Sequence, residues 1–290
     1  MPTKPEKDTA GNTLIRSHEW DGIQEMDNPL PRWWLYVFYA SIAVSLLYFV
    51  LYPAIPFLHS HTTGILGYSS RKALDVEMEK AKAAQAVYIH KIQAMTPAQI
   101  RADPELLNFA MAGGKAAFGV NCAPCHGAGG AGRPGYPSLA DDDWLWGGTL
   151  DAIQQTIRHG IRWQADDATR QSEMPRFGAD GMLKPDQIED VAQYVLSLTN
   201  RATDAAAAKK GAAIFTEQCA VCHGPKGQGN PEVGAPDLAD AVWLYGSSLA
   251  DILHQVNTPR QGVMPAWQGR LDDATIKMLT VYVHSLGGGK

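Results

Sequence analysis

Cys122-Ala123-Pro124-Cys125-His126 is the stretch from which the organisation of this chain can be read. Two thiols three residues apart, followed at once by an imidazole, form the attachment pattern of a c-type haem. On one helical turn, positions i and i+3 lie on the same face, so both sulfurs can reach one porphyrin while His126 ligates its iron. A zinc site would need a fourth ligand, and none is obvious nearby. A thioredoxin-like thiol pair does not require the histidine.

The pattern recurs as Cys219-Ala220-Val221-Cys222-His223, which gives a repeat with a period of about 97 residues. Strand-like alternation is rare, and Gly/Pro-rich loops join the periodic segments. The sequence therefore predicts an all-α fold in which two tandem haem domains each hold one covalently bound haem c. The other recurring segments are Gly114–Phe118 with Gly211–Phe215, Leu139–Asp141 with Leu238–Asp240, Trp144–Gly147 with Trp243–Gly246, and Tyr194–Leu198 with Tyr282–Leu286.

Each copy of the repeat also contains one Met-Pro dipeptide, beginning at Met174 and at Met264. Methionine is most often a core residue, but these two occupy equivalent places in the repeat. A thioether is a suitable sixth ligand for a haem iron, and His/Met ligation raises the reduction potential of the haem. Met174 and Met264 are therefore predicted iron ligands beside His126 and His223.

Bis-histidine ligation is the main alternative for the sixth ligand. It would require a second histidine at an equivalent position in each copy. His159 aligns roughly with Thr258 and His254 with Gln155, so neither histidine recurs. We expect both to be ordinary histidines on helix surfaces.

Composition and charge exclude several classes of function. The chain has 25 basic and 30 acidic residues and a net charge of −5, so no nucleic-acid-binding surface is expected. All four cysteines fall in the two haem motifs, which leaves none for a disulfide. No group of residues resembles a copper site or a general acid/base pair, so no catalytic residue is predicted.

A long uncharged run extends from Trp33 to Leu58. As a helix it would reach about 39 Å at about 1.5 Å per residue, enough to cross a hydrocarbon core of about 30 Å. A secretory signal peptide would be shorter, nearer the N-terminus and followed by a small-residue cleavage site. We therefore expect one uncleaved transmembrane helix. Because c-type haem is attached in the bacterial periplasm, the haem motifs place the C-terminal part there and the N-terminus in the cytoplasm.

The predicted organisation follows from these segments and from two helix-start signals, Thr96-Pro97 and Asp103-Pro104. The acidic run Asp141-Asp142-Asp143 is read as a solvated cap, with a docking face for a basic cytochrome as the alternative. The predicted parts are a cytoplasmic segment at 1–32, a transmembrane helix at 33–58, a periplasmic linker with a helix at 59–103, and haem domains at 104–200 and 201–290.

The N-terminal part carries the most specific likeness to a known family. The segments 20–25 (WDGIQE), 27–34 (DNPLPRWW) and 66–69 (LGYS) resemble those of the dihaem subunit of cbb3-type cytochrome c oxidases, the CcoP or FixP family. The likeness extends over almost the whole chain. It is more specific than the haem motifs, which many dihaem cytochromes share.

This resemblance implies a role in a haem–copper oxidase of a bacterial inner membrane. Electrons from a donor cytochrome c would pass through the two haems to a monohaem subunit, and oxygen would be reduced on the catalytic haem–copper subunit. The resemblance also implies that the methionine ligands are exchanged, with Met264 on the first haem and Met174 on the second. Spacing alone suggests ligation within each copy, and the residues leave both arrangements open.

Two other functions fit the haem motifs. One is a free-standing, membrane-anchored dihaem carrier or the cytochrome subunit of a dehydrogenase, which differs from the oxidase subunit in its partners. The other is a dihaem peroxidase, which would need one haem with an open or switchable iron position. The two Met-Pro dipeptides argue against the peroxidase.

Overall fold

The computed structural model describes residues 14–26 and 29–287, and these residues are mainly helical. The predicted helical architecture is confirmed. An antiparallel strand pair, β1 (Leu14–Trp20) and β2 (Ile23–Met26), was not predicted from the sequence. Asp21 and Gly22 join the strands with φ values of 46° and 86°. Two successive positive φ angles at an Asp-Gly pair are typical of a tight hairpin turn.

The chain divides into two compact units, Met1–Ala84 and Gln85–Lys290. In the first unit, α1 (Arg32–Leu51) is exposed along its length, and its most apolar window has a mean hydropathy of 2.0. Its 20 residues give a length of about 30 Å, sufficient for one membrane crossing.

Helix α1 ends at Leu51, whereas the predicted transmembrane segment continues to Leu58. Pro53 explains the earlier end, because proline has no N–H to continue the helix and disfavours helical geometry in the residue before it. The last carbonyls of the helix are not left unpaired. The backbone N–H groups of Ile65 and Leu66 donate to the carbonyls of Val50 and Leu51, at 2.9 and 3.1 Å.

A long helix, α2 (Ser70–Ala94), follows and forms the helical part of the predicted linker. The next two helices begin at the predicted starts: Thr96 and Asp103 cap them, each with proline at the first helical position. A π-helical turn at Phe215–Cys219 precedes the second haem motif. The helices are α3 (Pro97–Ala102), α4 (Pro104–Asn121), α5 (Ala123–His126), α6 (Leu150–His159), α7 (Pro185–Leu198), α8 (Ala205–Ile214), α9 (Ala220–His223), α10 (Leu249–Asn257) and α11 (Asp273–Leu286).

Two pairs of helices pack together, and each pair takes one helix from each sequence repeat. Helix α4, which precedes the first haem motif, packs against α11, the last helix of the second copy. Helix α8, which precedes the second motif, packs against α7, the last helix of the first copy. Matching aromatic pairs mark both contacts: the ring centroids of Phe118 and Tyr282 are 5.4 Å apart, and those of Phe215 and Tyr194 are 5.0 Å apart.

A glycine lies at the centre of each crossing. A Cβ atom on Gly114 would collide with the carbonyl oxygen of Met278, and one on Gly211 would collide with that of Asp190. Both glycines are buried. The two helix pairs therefore meet backbone to backbone, an approach that only glycine permits.

This packing defines two haem units that differ from the predicted domains. The second haem unit is the continuous segment 172–257, which contains α7 to α10, and the first haem unit combines 97–161 with 262–286. The predicted boundary near 200 separates the sequence repeats, and as a domain boundary it stays a prediction. The helix packing joins residues on both sides of this boundary. Only a short connection separates α7 from α8, so α7 packs against the helix that follows it in the chain.

We expect Gly114→Ala to lower the free energy of unfolding by ~1–3 kcal/mol, since the added methyl group overpacks the α4–α11 contact. The matched control is the same change at Gly119, an exposed position of α4 where an added Cβ would have no atom within 4 Å. Gly119→Ala should raise stability by ~0.5–1 kcal/mol through helix propensity. Urea unfolding of both variants tests the contact, and equal effects would contradict the described packing.

Candidate haem-binding sites

A cleft in the second haem unit brings the predicted residues of the second motif together. Cys219, Cys222 and His223 line it, and so does Met174 from the first sequence copy. The cleft encloses about 210 Å³ and is partly open to solvent. Its buried apolar wall consists of Phe177, Val191, Val195, Phe215, Ile252 and Val256.

The histidine of each motif is oriented by a backbone carbonyl. His126 Nδ1 lies 3.0 Å from the carbonyl oxygen of Pro137, and His223 Nδ1 lies 3.0 Å from that of Pro236. Because a carbonyl only accepts, Nδ1 must carry the proton and donate it, which leaves the Nε2 lone pair for a metal. Burial lowers the pKa of both imidazoles, partly offset by these hydrogen bonds, and so favours the neutral ring.

The first cysteine of each motif lies in surroundings that do not suit a thiolate. Burial, with a smaller contribution from the neighbouring cysteine, raises the pKa of Cys122 and of Cys219 to about 11. Redox-active Cys-X-X-Cys pairs have lowered thiol pKa values instead. Within residues 14–26 and 29–287, no three His, Cys, Asp or Glu side chains converge as a metal-binding group. Both observations favour haem attachment over the thioredoxin and zinc alternatives.

The backbone of Met174 is held by a residue of the second sequence copy. The side-chain amide of Gln261 accepts a hydrogen bond from Met174 N and donates one to Met174 O, both at 3.1 Å. The Met174 side chain packs against the same apolar cluster as Cys219. This pairing ties the Met174 loop to the loop that carries Met264.

Met264 occupies the equivalent place in the first haem unit. Its side chain packs, with Cys122 and Trp144, against one buried apolar cluster. Its backbone N–H and C=O pair with the C=O and N–H of Ile161, at 3.0 and 2.9 Å. The buried members of the cluster are Phe118, Ile153, Ile157, Ile276, Leu279, Tyr282 and Val283.

The structure thus groups each Cys-X-X-Cys-His motif with the methionine of the other copy. Each group offers what a c-type haem requires: two thiols on one helical turn, an oriented imidazole, a thioether and an apolar wall. The residues therefore fit the cofactor in both units, while ligation of iron by His126, His223, Met174 and Met264 stays a prediction.

The two histidines expected on helix surfaces do not line the cleft of the second haem unit. His159 Nδ1 is 3.1 Å from a carboxylate oxygen of Asp166, so this imidazole is paired with an acid. His254 is exposed on α10. Neither observation supports bis-histidine ligation.

Two aromatic residues each belong to one haem unit and contact the other, and neither was predicted to be functional. Trp146 is buried, lines the cleft of the second haem unit and lies against Gly234, where a Cβ atom would collide with its indole. Tyr245 aligns with Trp146 in the repeat, and its hydroxyl accepts a hydrogen bond from Gly262 N at 2.9 Å. Comparing the Trp144–Gly147 and Trp243–Gly246 segments could have identified this pair.

Arg162 and Gln261 were also missed. They lie in loops without periodicity, where a sequence pattern does not indicate contacts. One feature of the sequence could have indicated Arg162. In each copy an arginine stands three residues after the last residue of a helix: Arg162 after α6 and Arg260 after α10.

Acidic residues of both copies meet at a cavity of about 420 Å³ between the glycine-rich loops. The carboxyl groups of Asp143 and Asp240 are close neighbours there, and the charge of Asp143 acts on Asp240. Burial, together with the charges of Asp143 and Asp237, raises the pKa of Asp240 to about 6, although its carboxylate accepts a hydrogen bond from Val242 N. Burial and the charges of Asp141 and Asp142 also raise the pKa of Asp143.

Three family models match the chain. A model of the N-terminal domain of cytochrome oxidase-cbb3, FixP, matches residues 13–59, and a cytochrome c model matches residues 111–199. A model of cytochrome c oxidase, cbb3-type, subunit III matches residues 206–283.

Curated relatives match over nearly their full length. The cbb3-type cytochrome c oxidase subunit CcoP of Azospirillum brasilense is 53% identical, covering 98% of this chain and 99% of the relative. The corresponding subunit FixP of Bradyrhizobium diazoefficiens is 50% identical, and CcoP of Cereibacter sphaeroides is 47% identical; each match covers 100% of both chains.

We expect Asp240→Asn to be more stable than the unchanged protein at pH 7.5 and equally stable near pH 3.5. The pKa of Asp240 is raised in the folded state, so the folded carboxyl binds a proton more tightly and stability falls as the pH rises from about 4 to about 6. Asparagine keeps the acceptor for Val242 N and never ionises. Because Asp240 is partly exposed, the gain should be no more than ~1 kcal/mol.

Urea unfolding at both pH values measures this difference. Asp75→Asn, which removes an exposed charge from α2, serves as the control and should show no such pH-dependent gain. A gain for Asp240→Asn that was the same at both pH values would contradict the assigned cause.

Proposed function

The chain belongs to the CcoP/FixP family of cbb3-type cytochrome c oxidase subunits, and we propose that it is the dihaem electron-transfer subunit of such an oxidase. The observation that carries this proposal is the pairing of each Cys-X-X-Cys-His motif with a methionine at one apolar cluster, in a chain whose N-terminal segment matches the family. Its partners are the other oxidase subunits.

We propose two covalently bound haem c groups. Cys122 and Cys125 would attach the first and Cys219 and Cys222 the second. The support is the near-identical surroundings of the two motifs, including the one-turn helix and the carbonyl that receives each histidine proton.

We further propose that the methionine ligands are exchanged between the sequence copies. Met264 would complete the ligation of the iron held by His126, and Met174 that of the iron held by His223. The hydrogen bonds of Ile161 to Met264 and of Gln261 to Met174 support this assignment, since they fix each methionine backbone beside the other copy.

The protein residues create the conditions for electron transfer. When bound, each haem supplies a one-electron iron couple whose potential His/Met ligation raises. The pairing of His126 with Pro137 and of His223 with Pro236 keeps the imidazoles neutral and fixed in rotation. The apolar walls exclude water, which limits the reorganisation that accompanies a change of charge. No residue of the chain is proposed to act on oxygen, so oxygen reduction is assigned to a partner subunit.

The membrane placement is part of the proposal. Helix α1 would anchor the chain in the bacterial inner membrane, with the N-terminal segment in the cytoplasm and both haem units in the periplasm. Its length and its exposed apolar surface support the anchor. Electrons from a donor cytochrome c would enter the haem units and leave toward the monohaem subunit and then the catalytic haem–copper subunit.

Purification from the native membrane in mild detergent tests the oxidase role. We expect the chain to copurify with a monohaem cytochrome c, copper and high-spin haem, and the complex to oxidise a reduced cytochrome c with oxygen. Replacing residues 1–52, which include α1, with a cleavable secretory signal peptide should still deliver the haem units to the periplasm and leave a soluble dihaem protein without copper. Recovery of the full chain alone, without copper or high-spin haem, would favour a free-standing carrier instead.

A further inference from the structure

Arg162 lies where the two methionine loops meet. It directly follows Ile161, whose backbone pairs with Met264, and its own N–H donates to the carbonyl of Arg170 at 2.9 Å. A Cβ atom on Gly160 would collide with the carbonyl of Met264, so the chain passes very close to the methionine loop at this point. The Arg162 side chain is half-buried and lines the cleft of the second haem unit.

The guanidinium group of Arg162 binds both loops at equivalent places. Its Nε donates to the carbonyl of Gly262 at 2.8 Å, and a terminal nitrogen donates to the carbonyl of Ser172 at 2.9 Å. Gly262 lies two residues before Met264, and Ser172 lies two residues before Met174. Hydrogen bonds from a charged donor are stronger than neutral ones, and the planar guanidinium fixes the angle between them.

The backbone of Arg162 adopts a strained conformation, which indicates a role for its side chain. Its φ angle is 51°, in the left-handed region that side chains other than those of Gly, Asn and Asp rarely adopt. Among the described residues, the other non-glycine residues with positive φ are Asp21 and Asn200, both of types that tolerate it. An arginine at such a position persists only where its side chain compensates for the cost.

We infer that Arg162 is a positioning residue that ties the Met174 loop to the Met264 loop, so that the two haems hold their methionine ligands interdependently. The inference rests on the exchanged ligation proposed above. Displacing either loop breaks a hydrogen bond to the guanidinium group that also holds the other loop. Loss of Arg162 therefore weakens methionine ligation at both irons.

Gln261 provides a second tie in the same region, because it lies in the α10–α11 loop that also carries Met264. Its amide holds the backbone of Met174, so it joins the same two loops. Replacing it should disturb both haems less than replacing Arg162 does, because its neutral hydrogen bonds are weaker than those of the guanidinium group. The Asn200 control described below, and not Gln261, separates coupling of the loops from a general effect of substitution.

The test uses the full-length, haem-loaded protein in its purified complex. Arg162→Gly removes the side chain and accepts the positive φ without strain, so the fold is expected to persist. Arg162→Lys keeps the positive charge but lacks the planar fork. Asn200→Gly is the backbone control, because it introduces a glycine at another positive-φ position, in the connection between α7 and α8, which carries neither methionine. Covalent haem content and helical circular dichroism confirm that each variant is folded.

The readouts are the thioether-to-iron charge-transfer absorption and the midpoint potentials of the two haems. Met174→Ala and Met264→Ala first assign the signal of each haem. We expect Arg162→Gly and Arg162→Lys to weaken the absorption of both haems and to lower both potentials. Gln261→Leu should have a smaller effect on both haems, and Asn200→Gly should affect neither.

Two results would overturn the inference in distinguishable ways. If the methionine variants act as assigned but Arg162→Gly changes one haem or none, Arg162 does not couple the loops and the ligand assignment survives. If neither methionine variant alters a haem, the proposed ligation itself is wrong, and the coupling inference fails with it.

Discussion

The backbone contact between a helix that precedes a haem motif and the last helix of the other sequence copy determines how the haem units are built. Gly114 and Gly211 permit this contact, because any side chain there would collide with a carbonyl of the opposing helix. Once α4 is paired with α11 and α8 with α7, each methionine loop must run to the motif of the other copy. The exchange of ligands proposed above would thus follow from the helix packing, without a separate cause.

This arrangement makes the two haem units mechanically dependent on each other. The loop between α6 and α7 and the loop between α10 and α11 pass one another, and polar contacts of Ile161, Arg162 and Gln261 connect them. Trp146 and Tyr245 fill the same region from opposite copies. A relay of two haems gains from such a junction, since the distance and orientation between its two sites are fixed by shared structure.

Short sequence motifs predicted those parts of the molecule that depend only on residues close together in the sequence. The Cys-X-X-Cys-His motifs, the Met-Pro dipeptides, the helix starts at Thr96 and Asp103 and the apolar anchor could all be read from neighbouring residues. The choice between Met174 and Met264 at a given iron could not, because the two copies are similar enough for either helix pairing to satisfy the pattern. Arg162 and Gln261 act through loop contacts that exist only after the long-range packing is set. The Asp21-Gly22 hairpin did carry a local signal, a turn dipeptide that helical periodicity does not reveal.

The central claim is that helix exchange delivers each methionine to the haem of the other sequence copy. An experimental structure of the haem-loaded complex, at a resolution that distinguishes the sulfur atom of each ligand, tests it most directly. The expected result is the Met174 sulfur on the iron held by His223 and the Met264 sulfur on the iron held by His126. Met174 on the iron held by His126, with α7 packed against α4, would contradict it.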